Sequence, residues 1–144
     1  MAASADALIR QFYEFYNQRQ IEEASSLFAS DAVIEHAPFG RVLPGGGDGY
    51  RQSAERSFSA FPDAHVDVLH ITSYGGGVYD VDLLATGTHR GVLDLGVYGR
   101  FEATGLRVRV PHREVLEIRD GLIVSASVTL DVNGLITQLS RGPA

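Results

Sequence analysis

The sequence predicts an α+β fold, with helices first and a meandering antiparallel sheet after them. Three observations carry this. Apolar residues recur at helical spacing from Ala5 to Gln20. The second half consists of strand-like stretches separated by turn residues. Asp120-Gly121, set between two of those stretches, is among the strongest short hairpin signals. This order opposes an alternating βαβ nucleotide-binding arrangement. At 144 residues, 44% hydrophobic and 21% charged, the chain suits one domain over 1–144 and is too apolar for disorder.

In the first helix, Leu8, Ile9, Phe12, Tyr13, Phe15 and Tyr16 supply the apolar positions, and Ser4 or Asp6 caps the start. A second helix is expected over 21–29, with Ile21, Ala24 and Phe28 on one side. Ser30-Asp31 ends it, and residues 32–36 read as a brief strand running to His36. Residues 38–49 hold two Pro and five Gly and read as a mobile loop, a candidate lid. Asp48 is expected to cap a third helix over 49–61, which Pro62 ends. Strands follow over 65–73, 78–89, 105–118 and 122–132, with Gly75-Gly76-Gly77 as a turn and a helical turn over 135–139.

The hairpin gives a geometric expectation. With Asp120-Gly121 as a two-residue turn and regular pairing, Ile118 faces Ile123, Leu116 faces Ser125 and Glu114 faces Ser127. Continuing, His112 faces Thr129 and Val110 faces Asp131. One face then carries His112, Glu114, Ser127 and Asp131, and the other carries Val124, Ala126, Val128 and Leu130. The second face suits packing between two copies, so a homodimer is expected through Val124, Val128 and Leu130.

Composition excludes several chemistries. There is no Cys, and all twelve basic residues are Arg, so thiolate, Schiff-base and P-loop lysine chemistry are absent. A net charge of -6 opposes binding to nucleic acid or an anionic membrane. The five His show no HxH or HExxH spacing, so no metal site is expected. No signal peptide or apolar run of membrane-spanning length is seen, and a cytoplasmic location is expected.

FPDAHVDV (61–68), ATGTHRG (85–91), ATGLRVRV (103–110) and RDGLIV…LDVNGLITQL (119–139), with the opening FYEFYN, resemble the SnoaL-like polyketide cyclase family over nearly the whole chain. That resemblance implies the nuclear transport factor 2-like superfold: a cone-shaped, curved antiparallel sheet packed by three N-terminal helices around an internal pocket. It also implies a cofactor-independent, aldol-type ring closure of a polyketide-like substrate. In the family a carboxylate near the end of the last long strand is the acid/base, and Asp131 occupies the matching position.

The expected site is therefore Asp131 as acid/base with His112 assisting. Tyr16, His36, His89, Glu114 and Ser127 are expected as substrate contacts for a small hydrophobic or aromatic ligand. Asp131 has a competing reading as the cap of the terminal helical turn. The Tyr and Phe of the first helix other than Tyr16 read as core. Competing functions are a ketosteroid-isomerase-like or epoxide-hydrolase-like reaction in the same fold, or a non-catalytic ligand-binding dimeric module.

Overall fold

The computed structural model describes residues 4–141. Helix α1 (Ala5–Asn17) starts where the Ser4 side chain accepts the Ala7 N–H at 3.1 Å. Its buried stripe is Ile9, Phe12 and Tyr13. Helix α2 is only Ile21–Ser25, shorter than the sequence suggests, because Phe28 already opens strand β1 (Phe28–His36). Extended there, Phe28 stacks on Tyr50 at 5.2 Å and meets the edge of Phe12 at 5.5 Å. Burying that ring in the core outweighs one more turn of helix.

The Gly-rich stretch is not a loop. It holds a 3-10 turn (Ala37–Phe39), strand β2 (Arg41–Leu43) paired with β1, and the start of helix α3 (Gly47–Ala60). Its glycines serve close packing. Gly46 has φ 58° and donates to Ala32 O at 2.9 Å, and a Cβ there would lie 2.2 Å from Ala29 O. Gly46, not Asp48, is the N-cap of α3; Asp48 sits in the first turn and pairs with Arg51.

Strands β3 (His65–Gly75), β4 (Val78–Thr88), β7 (Arg107–Arg119) and β8 (Leu122–Leu130) form the meander. Between β4 and β7 lie the small strands β5 (Leu93–Asp94) and β6 (Arg100–Phe101), and helix α4 (Val132–Leu139) closes the chain. The main sheet has the order β2-β1-β8-β7-β4-β3. Every ladder is antiparallel except β1 with β8, which is parallel. A parallel pair needs a long crossover, and everything from β2 to β7 serves as one.

The β7–β8 hairpin turns on Asp120 (φ 51°) and Gly121 (φ 75°), both in the left-handed region that a type I′ turn requires. Ile118 pairs with Ile123 as expected. The ladder then slips: Glu117 pairs with Ser125, leaving Val124 as a bulge. Past that point every β8 residue is displaced by one, so Leu116 faces Ala126, Glu114 faces Val128 and His112 faces Leu130.

The pairing defines the inner face as cross-strand rows. One row runs Arg41, His36, Val128, Glu114, Val81, Ile71; the next runs Leu130, His112, Leu83, Val68. Leu83, Val81 and Leu116 are essentially inaccessible to solvent and pack with the stripe of α1. The surface expected to join two copies does not exist as such, because Val128 and Leu130 turn inward and line the interior. No helix among the described residues is long and apolar enough to cross a membrane.

Candidate active site

Between the helices and the inner face lies a cavity of about 390 Å³, a size that suits a small organic ligand. Aromatic and aliphatic side chains dominate its wall: Phe12, Phe28, Phe61, Leu83, Val128 and Leu130. Into this apolar space the strands project a few polar groups.

Glu114 is one of these. It stands on β7 between Val128 and Val81, and its Oε2 accepts the Tyr13 hydroxyl at 2.6 Å. Burial disfavours its charged form and lifts the carboxyl from an ordinary 4.5 to about 7, although the Tyr13 hydrogen bond pulls the other way. The Tyr13 phenol rises well above its usual value through burial and the adjoining Glu114. It stays a donor at any working pH.

His112, two residues before Glu114 on β7, shares its face and lines the cavity. Burial, aided by nearby His36, lowers it from 6.5 to about 4, so it is neutral near pH 7. His36 ends β1 on the same row as Glu114, two strands away or roughly 10 Å between Cα atoms. It too falls to about 4, through burial and then the Arg41 and Arg56 guanidinium groups. Its Nε2 lies 3.2 Å from Ser53 Oγ of α3.

Tyr16 and Tyr50 also belong to the lining on the helical side. Tyr16 stacks on Phe58 at 4.8 Å and is raised by burial. Tyr50 is also raised, by burial first and then by Tyr16 and Glu114. Its buried hydroxyl has no hydrogen-bond partner among the described residues, and the residue lines the cavity. No group of His, Asp and Glu among the described residues is arranged to hold a metal ion.

Residues 6–139 match the family model of the SnoaL-like polyketide cyclases. The chain belongs to that family. No curated protein matches the sequence significantly. Among solved structures, a candidate SnoaL-like polyketide cyclase from Jannaschia sp. CCS1 is 18% identical with a TM-score of 0.80, each chain covered over 99%. IdmH, a candidate polyketide cyclase from Streptomyces antibioticus, is 24% identical with a TM-score of 0.77, over 96% of this chain and 99% of that one. A protein with a ketosteroid isomerase-like fold from Catenulispora acidiphila is 14% identical with a TM-score of 0.75, over 92% of both chains.

Within this cyclase-family fold, the expected site residues divide. His36, His112, Glu114 and Tyr16 line the cavity. Asp131, Ser127 and His89 do not. Asp131 lies past the end of β8, exposed, with its N–H on Pro111 O at 3.2 Å and its Oδ1 accepting Gly134 N–H at 3.0 Å. It is the N-cap of α4, which is the competing reading. Ser127 pairs with Val115 on the outer face, displaced there by the bulge at Val124. His89 is fully buried outside the cavity, with Nδ1 3.0 Å from Thr104 Oγ1 and its main chain bonded to Gly105 and Leu106. It fastens the segment between β4 and β7. Sequence reasoning missed Tyr13, Tyr50, Ser53, Arg41 and Arg56. For the tyrosines, helical spacing marks an inward direction but not whether the interior is packed or hollow.

Proposed function

We propose that this chain closes a carbon ring in a polyketide-like substrate by an intramolecular aldol reaction, with Glu114 as the acid/base. The observation that carries this reading is the Glu114 carboxyl, set in the wall of an apolar cavity with Oε2 bonded to the Tyr13 hydroxyl, where burial raises it toward neutrality. General acid–base catalysis is most efficient when the group titrates near the working pH.

The Glu114 carboxylate takes a proton from a carbon flanked by two carbonyl groups, which is already acidic. The resulting enolate carbon attacks a ketone carbon of the same molecule; a C–C bond forms and the ketone π electrons move to its oxygen. That oxygen takes the proton back from Glu114, restoring the carboxylate, so the product is an isomer of the substrate. Neutral His112, adjoining Glu114 on the same face, orients a substrate carbonyl. Tyr13 holds the Glu114 carboxyl in place.

Turnover of a diketone-bearing polyketide analogue, together with ligand binding, tests the proposal. Glu114→Gln is expected to bind with near-wild-type affinity while turnover falls by about a hundred- to ten-thousand-fold. Full turnover in that variant would remove Glu114 from the chemistry.

A further inference from the structure

Two arginines line the cavity, Arg41 and Arg56, and both lie at its His36 end. Arg41 stands on β2 directly opposite His36, with its guanidinium 5.8 Å from the centre of the Phe39 ring. Arg56 lies three residues after Ser53 on α3, and Ser53 is the residue whose hydroxyl meets His36. Positions three apart on a helix share a face, so Ser53 and Arg56 address the same end.

Neither guanidinium has an ion-pair or side-chain hydrogen-bond partner among the described residues. Arg51 is held by Glu22 and Asp48, Arg113 by Asp80, and Arg119 by Glu117, while Arg90, Arg100 and Arg109, also without a side-chain partner among the described residues, lie outside the cavity lining. Burial and the neighbouring Arg56 lower the basicity of Arg41, and Asp94 offsets this in part. Asp94 is the acidic group of the lining nearest in charge effect, and its Oδ1 is taken by Gly96 N–H at 2.9 Å. With His36 neutral, two cations against one carboxylate leave this end of the cavity positive. The chain as a whole carries -6, a field that repels anions. Arg41 is partly buried and Arg56 exposed at this end of the cavity, and the two guanidinium groups stand against one lining carboxylate, Asp94.

We infer that the ligand carries a carboxylate, held between Arg41 and Arg56 at the His36 end, while its ring system extends toward Glu114. A planar guanidinium fork matches a carboxylate in shape and charge. The Ser53 hydroxyl, 3.2 Å from His36 Nε2, lies at the same end. From Arg41 to Glu114 the row crosses three strand spacings, roughly 14 Å of backbone, which fused rings with an acidic tail bridge once the side chains lean inward. The inference deepens the cyclase reading and rests on it for the ring system. The anion site is tested on its own.

The probes are anthraquinone-2-carboxylate and its methyl ester, which differ in one charge. Dissociation constants are measured by calorimetry for wild type, Arg41→Gln, Arg56→Gln and the double variant, with circular dichroism and a thermal melt confirming that each is folded. Wild type is expected to prefer the acid by at least about tenfold, the worth of one partly solvated charge-assisted contact. Each single variant loses part of that preference. The double variant loses all of it while its affinity for the ester stays within about twofold. Equal affinity of wild type for acid and ester overturns the inference, as does a preference that survives in the folded double variant. Acid preference lost in the double variant, with no ring closure on any diketone substrate, supports the anion site and overturns the cyclase reading. Ring closure without acid preference does the reverse.

Discussion

Replacing Glu114 by Gln separates stability from activity in opposite directions. The carboxyl titrates at 4.5 in the unfolded chain and at about 7 in the folded one. Below about pH 4.5 it is protonated in both states and contributes nothing. Between 4.5 and 7 the unfolded chain releases the proton and the folded chain keeps it, so wild-type stability falls as pH rises. The interval corresponds to about 3 kcal/mol, fully lost by pH 8. Gln has similar size, accepts the Tyr13 hydroxyl through its amide oxygen and does not titrate. The stability of Glu114→Gln relative to wild type should therefore climb by about 3 kcal/mol from pH 4.5 to pH 8, in the same range where turnover has been lost. Urea unfolding followed by circular dichroism measures this; the chain has no Trp, so an indole signal is not there to use. Comparing the two proteins at each pH cancels the other titrating groups. A stability difference that stays constant from pH 4.5 to 8 would refute the claim that burial raises this carboxyl.

Three further outcomes are expected. Tyr13→Phe removes the one hydrogen bond that lowers the Glu114 carboxyl, so the acidic limb of the pH–rate profile should move upward from about 7; an unmoved limb would show that the contact does not tune the acid. Asp131→Ala loses the cap of α4 and should cost about 1 kcal/mol in a thermal or denaturant melt while turnover stays near wild type. A hundred-fold loss in that folded variant would return Asp131 to the chemistry. Gly91→Ala would bring a Cβ to 2.0 Å from Ser59 O, where Gly91 N–H also bonds Ala60 O at 3.1 Å, and the forced backbone shift should destabilise the protein by about 1–3 kcal/mol. An unchanged melting temperature would mean that this crossing of chain segments yields easily.

The fold was legible because its signals are local. Helical spacing in α1, the left-handed demand of Asp120-Gly121 and the Gly75–Gly77 turn each act within a few residues. The parallel ladder between β1 and β8 joins segments about ninety residues apart and leaves no local mark. The site divides along the same line. His112 and Glu114 share a face because they are two apart on one strand, a relation that no partner can alter. Placing Ser127 and Asp131 beside them required the register between strands, which one extra residue at Val124 undoes. Arg41 and Arg56 were hidden for another reason. Arg41 lies in a Gly-rich stretch that reads as loop, and Arg56 is an exposed position of α3 that nothing local ties to a cavity.

The bulge at Val124 also bears on any alignment with a relative whose hairpin is regular. Deleting Val124 would straighten β8 yet leave Ala126, Val128 and Leu130 facing Leu116, Glu114 and His112, because the ladder already steps over it. A relative with a regular hairpin therefore builds the same wall from one residue fewer. Matched without a gap, its residues beyond the turn fall one place out, and a wall position is set against a solvent-facing one. Within β7 the bulge introduces no such offset. On β8 and at the start of α4 roles transfer only after the strands have been superposed.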